Sequence, residues 1–436
     1  MTSKVRGTPT SIALPLILGT ALREVLAPFT GHPFDFELWI RIGYYVSRGG
    51  DPYVATPPVP NLSFPGATFM TWIGYPPTWA FFQAAIYKFY SLLGVSDRFV
   101  YYFLIKQPMI IGDILCGYLI YRIVSDFSGS QSGKSAFLFW MFCPLTILIS
   151  SVWGMFDQII LVLVLSSVIL ALEPGKGALI ESLGFLLKVI PLIYVPLLAF
   201  VQRTRRAIIG YLILFLVVSF TLAVAPFFLF SNWKISQLIG VGLDVTHKLG
   251  NSMNYWMILA AYDTYFPISR ADALILEPIA LAWVPALILA SYFCVVSIRK
   301  SADMQKGLYA SVLFITLVFF LTKSVINEQY SIYFLGFGLF DYYVLAKRDR
   351  KRLFHLIWIS VLAFLVVNNT YLVRFLTPIS IYYRSLDVHL ETGFLGEIRT
   401  AMLVVIAIFF TSFCAFYLRS LFSEIRYFRK SKFNDY

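Results

Sequence analysis

The chain has 436 residues, of which 59% are hydrophobic, 18% aromatic and only 13% charged. So little polar material excludes a soluble globular protein of this length, because it could not cover the surface. A formal net charge of +12 would point a soluble chain toward nucleic acid, but in a membrane protein an excess of Lys and Arg marks the cytoplasmic loops, and no nucleic-acid partner is expected.

Apolar runs recur along the whole length and are continuous rather than alternating. This predicts an all-α polytopic membrane protein, a single integral membrane domain over residues 1–436. About 12 transmembrane helices are predicted, near 11–29, 101–124, 135–152, 156–172, 177–188, 190–202, 206–230, 278–298, 307–325, 328–346, 353–373 and 399–420. The first, "MTSKVRGTPTSIALPLILGTALREVLAPF", is expected to be an uncleaved signal anchor. With Lys4 and Arg6 inside, the clusters at 122–134, 202–206, 299–306 and 347–352 and the basic tail also fall inside, so both termini are cytoplasmic. Three long segments, 30–100, 231–277 and 374–398, are then outside. Within the first of them, Pro76 to Gly94 is predicted to be an amphipathic helix at the outer interface. Lys188, Pro191 and Pro196 predict that 177–202 is two short helices meeting near Lys188 at the outer side. The host membrane is the plasma membrane or the endoplasmic reticulum. The four cysteines, Cys116, Cys143, Cys294 and Cys414, fall in separate apolar runs and are expected to be core residues.

This topology gathers polar residues on one face. In "GHPFDFELWIRIGYYVSRGGDPY", Asp35 and Glu37 follow the first span, and an Asp-Pro-Tyr turn closes the stretch. Tyr75 stands in "IGYPPTW" and Lys106 near the outer end of the second span. Asp157 lies in "SSVWGMFDQ", Lys188 at the helix break, His247 and Lys248 in the second outer loop, and Arg374 in the third. Lys323, Glu328 and Gln329 belong to "LTKSVINEQY". Taken singly, an outer Asp is usually a solvated loop residue, and a Lys at a helix end snorkels to the headgroups. As a set they are harder to dismiss, because an ionisable group at bilayer depth costs roughly 2.5–3.5 kcal/mol or more. Together they predict a cleft open to the outer face. Asp113, deeper in the second span, is expected to hydrogen-bond a neighbouring helix; His355 and His389 are expected to have local roles.

Five stretches, "DFELWIRIGYYVSRGGDPY" with "GYPP", "IGDILCGYLIYRI", "CPLTILISSVWGMFD", "LLKVIPLIYVPLL" and "LVFFLTKSVINEQYSIYFLG", carry a resemblance. In order and spacing, up to about residue 345, the chain resembles the polyprenyl-phosphate-sugar-dependent glycosyltransferases of the GT-C membrane fold. It is most similar to the family of the GPI mannosyltransferase catalytic subunit. Where that family has Asp-x-Asp, this chain has Asp35 and Glu37; its Arg-Tyr-x-Pro is "GYPP" here, and its Arg-Gly-Asn run is "SVWGMFD". The resemblance implies an inverting transfer of a hexose, mannose first and glucose second, from a polyprenyl or dolichyl phosphate to a lipid-linked or membrane-bound glycan. Asp35 is then the base, with Glu37 as helper or substitute. The phosphate partners come from Lys323, Lys188, Lys106, His247, Lys248 and Arg374, and acceptor or sugar contacts from Asp157, Tyr75, Glu328 and Gln329. No cofactor is required; a divalent cation on Asp35, Glu37 and Asp157 is the weaker option. Membrane lipids are expected partners, and an accessory subunit is compatible with the reading. The rival class is a transporter or lipid flippase, which would show inverted repeats and midplane sites; no repeat is visible in the sequence. A third class is a non-catalytic subunit of a glycosylation complex, against which the acidic pair argues.

Overall fold

The computed structural model describes residues 10–67, 73–240, 252–266, 278–299 and 303–430, together with Ile268, Leu276 and Ser301. The described residues are helical and hold no strand ladder. The N-terminal part runs α1 (Thr10–Leu26), α2 (Asp35–Val46), α3 (Pro77–Leu92), α4 (Arg98–Ser128) and α5 (Ser130–Phe142). A short α6 (Pro144–Ile147) passes into a π-helical turn, Leu148–Trp153, before α7 (Asp157–Ile169). Next come α8 (Pro174–Leu187), a 3₁₀ turn (Ile190–Ile193), α9 (Val195–Phe200) and α10 (Arg205–Leu229). The remainder is α11 (Trp256–Tyr265), α12 (Trp283–Arg299), α13 (Met304–Thr322), α14 (Ser331–Phe340), α15 (Arg348–Asn368), α16 (Ile381–Glu391) and α17 (Gly393–Lys430).

Six helices among the described residues are long and apolar enough to cross a membrane: Arg98–Ser128, Arg205–Leu229, Pro278–Arg299, Met304–Thr322, Arg348–Asn368 and Gly393–Arg426. The bent pair Ser130–Phe142 and Pro144–Trp153, at 49°, is a seventh if it counts as one span. The expected count of about 12 exceeds this because the other apolar runs are broken into short pieces. Pro144 starts a new helix after Phe142, and Pro191 and Pro196 interrupt the run after Leu187, since proline cannot donate to the preceding turn. The break at Lys188 falls where the sequence puts it. The predicted helix at Pro76–Gly94 is α3, which opens on Pro77 as an N-terminal proline and packs against α2.

α4 runs along α5 and α7, α7 along α8, and α8 along α10. On the other side α13 packs on α12, α14 and α17, and α15 on α17, with α14 touching α4 and α7 to join the halves. Side chains such as Ile209, Ile213, Leu216 and Phe220 on α10, and Ile288, Leu289 and Tyr292 on α12, are exposed; a row of large apolar groups of this kind suits contact with lipid. All four cysteines are buried and free.

Two polar knots fix the bundle. The Arg23 guanidinium donates from Nε to Asp113 at 2.6 Å and reaches the Met141 carbonyl and Thr146 Oγ1. Trp140 Nε1 and Ser150 Oγ also donate to Asp113, each at 2.9 Å. Asp113 thus ties α1, α4, α5 and the π turn together, as a hydrogen-bonding role within the second span predicts. The second knot joins Arg350 to both oxygens of Asp341, at 2.8 and 2.9 Å, with the Tyr417 hydroxyl donating to the same carboxylate. Both are buried, so each charge is matched rather than left bare.

Candidate active site

Asp35 opens α2 and keeps 19% of its side chain exposed. The Trp153 indole N–H donates to its Oδ2 at 2.9 Å, and His32 Nδ1 lies 3.2 Å from the same oxygen. The His32 ring stacks on Trp153, centroids 4.9 Å apart, and its backbone N–H donates to the Trp153 carbonyl. Among the described residues Oδ1 of Asp35 has no hydrogen-bond partner. Burial works against charge here, but the hydrogen bond and charge of His32, the Trp153 N–H and the Lys188 ammonium outweigh it. The carboxyl is held below its ordinary range.

Trp153 arrives through local chain geometry. The π turn ends at Gly154, whose φ of +87° is left-handed, and a Cβ there would meet the Phe36 ring at 2.6 Å. Its carbonyl accepts the Trp39 indole N–H at 3.1 Å, which pins the turn onto α2. The tight exit lets α7 begin at Asp157, in the first turn, where a carboxylate suits the helix dipole.

Asp157 faces the second chain break. Lys188 has left the helix in an extended conformation, and its ammonium donates to both Asp157 oxygens at 2.9 Å, with the Tyr333 hydroxyl donating at 3.3 Å. The rings of Tyr330, Tyr75 and Phe156 stand 4.8, 5.4 and 5.6 Å from Lys188 Nζ, a cation–π surround. The structure therefore brings Asp35, Tyr75, Asp157, Lys188 and Tyr330 into one electrostatic group.

Glu328 and Gln329 sit in the 3₁₀ turn before α14, both buried. Asn368 Nδ2 donates to Glu328 at 2.8 Å. Burial lifts the Glu328 carboxyl above its ordinary value, against the pull of its backbone N–H, Asn368, His32 and Arg374. Gln329 Oε1 is buried without a partner among the described residues. Arg374 bounds this side, 3.2 Å from Asp387 and paired with Glu391. It leaves a turn in which Thr370, Tyr371 and Leu372 all have positive φ, a strained run that the Thr370 hydroxyl steadies by donating to Asp387. Lys323 caps α13, where Asn254 Nδ2 donates to its carbonyl at 2.8 Å and its ammonium stands 5.4 Å over the Trp283 ring.

Two expected site residues are placed otherwise. Glu37 is fully buried; Arg41 Nε donates to it at 2.7 Å and the Phe64 backbone N–H at 2.8 Å. Burial raises its carboxyl above the ordinary value, outweighing Ser63, Phe64 and Arg41. It locks the segment around Phe64 onto α2. Lys106 is equally enclosed, donating to the carbonyls of Thr30 and Ser151, each at 2.6 Å, and of Val152 at 3.3 Å. Its ammonium is saturated by backbone and has no capacity left for a phosphate. His247 and Lys248 lie outside the described residues.

Among the described residues no three His, Cys, Asp or Glu side chains converge as a metal site requires. Asp35, Glu37 and Asp157 do not form one, because Glu37 is committed to Arg41 and Asp157 to Lys188. The sequence reading missed His32, Trp153, Tyr330, Tyr333 and Asn368. For His32 a signal existed, its spacing of three residues from Asp35; the others meet the group only through tertiary packing. Compared with protein-family models and with characterised proteins, the chain matches none.

Proposed function

We propose that this protein is an inverting membrane glycosyltransferase of GT-C type. It moves a hexose, mannose before glucose, from polyprenyl or dolichyl phosphate to a membrane-bound or lipid-linked glycan on the outer or lumenal face. The bundle crosses the membrane about 12 times with both termini cytoplasmic. The carrying observation is Asp35, a part-exposed carboxylate with one oxygen oriented by Trp153 and His32 and the other without a partner among the described residues.

That arrangement suits a base. The acceptor hydroxyl gives its proton to Asp35 Oδ1 while its oxygen forms the new bond to the anomeric carbon. The bond from that carbon to the phosphate oxygen breaks, and its electron pair leaves with the polyprenyl phosphate. Displacement from one side inverts the anomeric centre. The leaving phosphate needs positive charge. Lys323 is the first candidate by its place in "LTKSVINEQY", and the Asp157–Lys188 pair orients sugar hydroxyls beside Tyr75 and Tyr330. No metal is required, and the enzyme works alone or with an accessory subunit.

The test is sugar transfer in detergent, with radiolabelled polyprenyl-phosphate-mannose and a membrane lipid extract as acceptor source. Incorporation that vanishes in a folded Asp35→Asn variant supports the reading. Equal incorporation in both removes Asp35 as the base. Wild-type transfer from the glucose donor but not the mannose donor would overturn the sugar assignment, and transfer from neither would overturn the donor class.

A further inference from the structure

At the end of α15 that carries the basic segment "KRDRKR", a second constellation is unrelated to Asp35. A π-helical turn, Asp341–Leu345, precedes α15 and swings Tyr342 against it. Between them lies an open cleft of about 460 Å³, lined by Tyr342, Ala346, Arg348, Lys351, Arg352 and His355. The cleft has three cations and no carboxylate in its lining. Arg350, in the same turns, faces inward to Asp341. Arg352 is 3.9 Å from Asp349, both exposed, while Arg348 and Lys351 have no carboxylate partner among the described residues. The Lys351 ammonium stands 5.0 Å over the Tyr342 ring.

The hydrogen-bond pattern supplies a neutral donor as well. The Trp358 indole N–H donates to His355 Nδ1 at 3.1 Å. An indole nitrogen only donates, so Nδ1 is the acceptor and the ring proton sits on Nε2. Nε2 lies 3.3 Å from the Tyr342 hydroxyl oxygen, which accepts from it. The Tyr342 hydroxyl proton is left to another acceptor, and among the described residues it has none. A set of guanidinium, ammonium and hydroxyl donors on a concave surface fits a phosphate group.

α15 is itself long and apolar enough to cross a membrane, which places its charged first turns at headgroup depth. We propose that this cleft is a binding site for the headgroup of an anionic phospholipid from the leaflet on that side. The phosphodiester is held by Arg348, Lys351 and the Tyr342 hydroxyl. Orientation by basic loops needs only charge in the segment; it requires neither convergence on one cleft nor a wide turn that delivers a hydroxyl there.

The experiment is lipid retention by the intact protein purified in neutral detergent. Phosphatidylglycerol and phosphatidylcholine are titrated in, and bound lipid is counted by native mass spectrometry. The wild type should prefer phosphatidylglycerol. The double variant Arg348→Gln with Lys351→Gln should weaken it on the order of 30-fold, roughly fivefold per charge. Tyr342→Phe should weaken it severalfold with the fold intact. The control is Arg203→Gln with Arg206→Gln, two exposed residues in another basic segment, which should change nothing. An equal loss in the control, or none in the double variant, overturns the proposal in favour of diffuse charge. Glycerol 3-phosphate binding as tightly as the lipid would overturn the lipid assignment.

Discussion

Changing Glu37 to Gln separates the two residues of the acidic pair. The substitution keeps the size and one acceptor oxygen but removes the charge opposite Arg41, in a pair with neither side chain exposed. Gln can keep the Phe64 N–H or the Arg41 Nε, and its amide NH₂ then faces the other donor. Removing one partner of a buried pair costs about 3–5 kcal/mol. Arg41 also donates to the Thr56 carbonyl at 2.9 Å, which favours the lower end, about 3 kcal/mol. Asp35→Asn is the contrasting change. Its side chain is 19% exposed and an amide oxygen still accepts from Trp153, so its cost should stay within about 1 kcal/mol. The assay is the half-life of folded protein at fixed temperature in one detergent, because unfolding of such a chain is read as a rate. A loss of 3 kcal/mol placed on the unfolding barrier shortens the half-life on the order of 100-fold. The expected pattern is crossed: Glu37→Gln unstable, Asp35→Asn stable but inactive in transfer. If Glu37→Gln survives as long as wild type, the pair is not a structural lock and Glu37 returns as a base.

Lys323 is tested by charge: Lys323→Met should raise the donor KM severalfold and Lys323→Arg should not; an unchanged KM in Lys323→Met removes Lys323 from phosphate binding. Asp35 gives a pH dependence: its carboxyl is held low, so it stays charged and kcat should show no acid limb at pH 5, and one found there would refute that environment. Lys106→Met removes the ammonium donor from the carbonyls of Thr30, Ser151 and Val152, leaving the Thr30 hydroxyl on Ser151, and should cost ~3 kcal/mol, lowering folded yield without raising the donor KM of what folds. His32→Gln removes the ring stacked on Trp153 and leaves Phe375 against it, so kcat should fall at least severalfold while the half-life of the fold stays near wild type; an unchanged kcat would make His32 a spectator.

How much could be foreseen depends on what kind of contact each residue makes. The break at Lys188 was legible because prolines state it locally. Asp35, Tyr75, Asp157 and Glu328 were legible as polar residues at the ends of apolar runs, where expense itself is the signal. Glu37 was misplaced although its explanation was written four residues on, in Arg41, at the spacing where helical side chains meet. Lys106 had no such sign, since its cage is backbone from Thr30, Ser151 and Val152, and carbonyls carry no sequence signature. Helix breaks are less legible than apolar length: the run that holds Pro144 is continuous in sequence, while in the fold it divides into two helices at 49°.

The Arg23–Asp113 knot bears on how the chain is made. Arg23 emerges from the ribosome 90 residues before its carboxylate partner, in a helix whose other charge, Glu24, is bonded by Gln107. Until Asp113 follows, that guanidinium, in the last turn of α1, lacks its carboxylate, and any residence in the bilayer costs up to roughly 2.5–3.5 kcal/mol. The first helix should therefore wait at the insertion channel, or be held by a chaperone, and settle laterally only with α4 to α6. A nascent chain ending before Asp113 would be released slowly and degraded quickly, and one extended through Ser150 would not. Biogenesis of the whole bundle is then timed by a single ionic pairing, joined to Asp35 through the π turn that carries both Ser150 and Trp153.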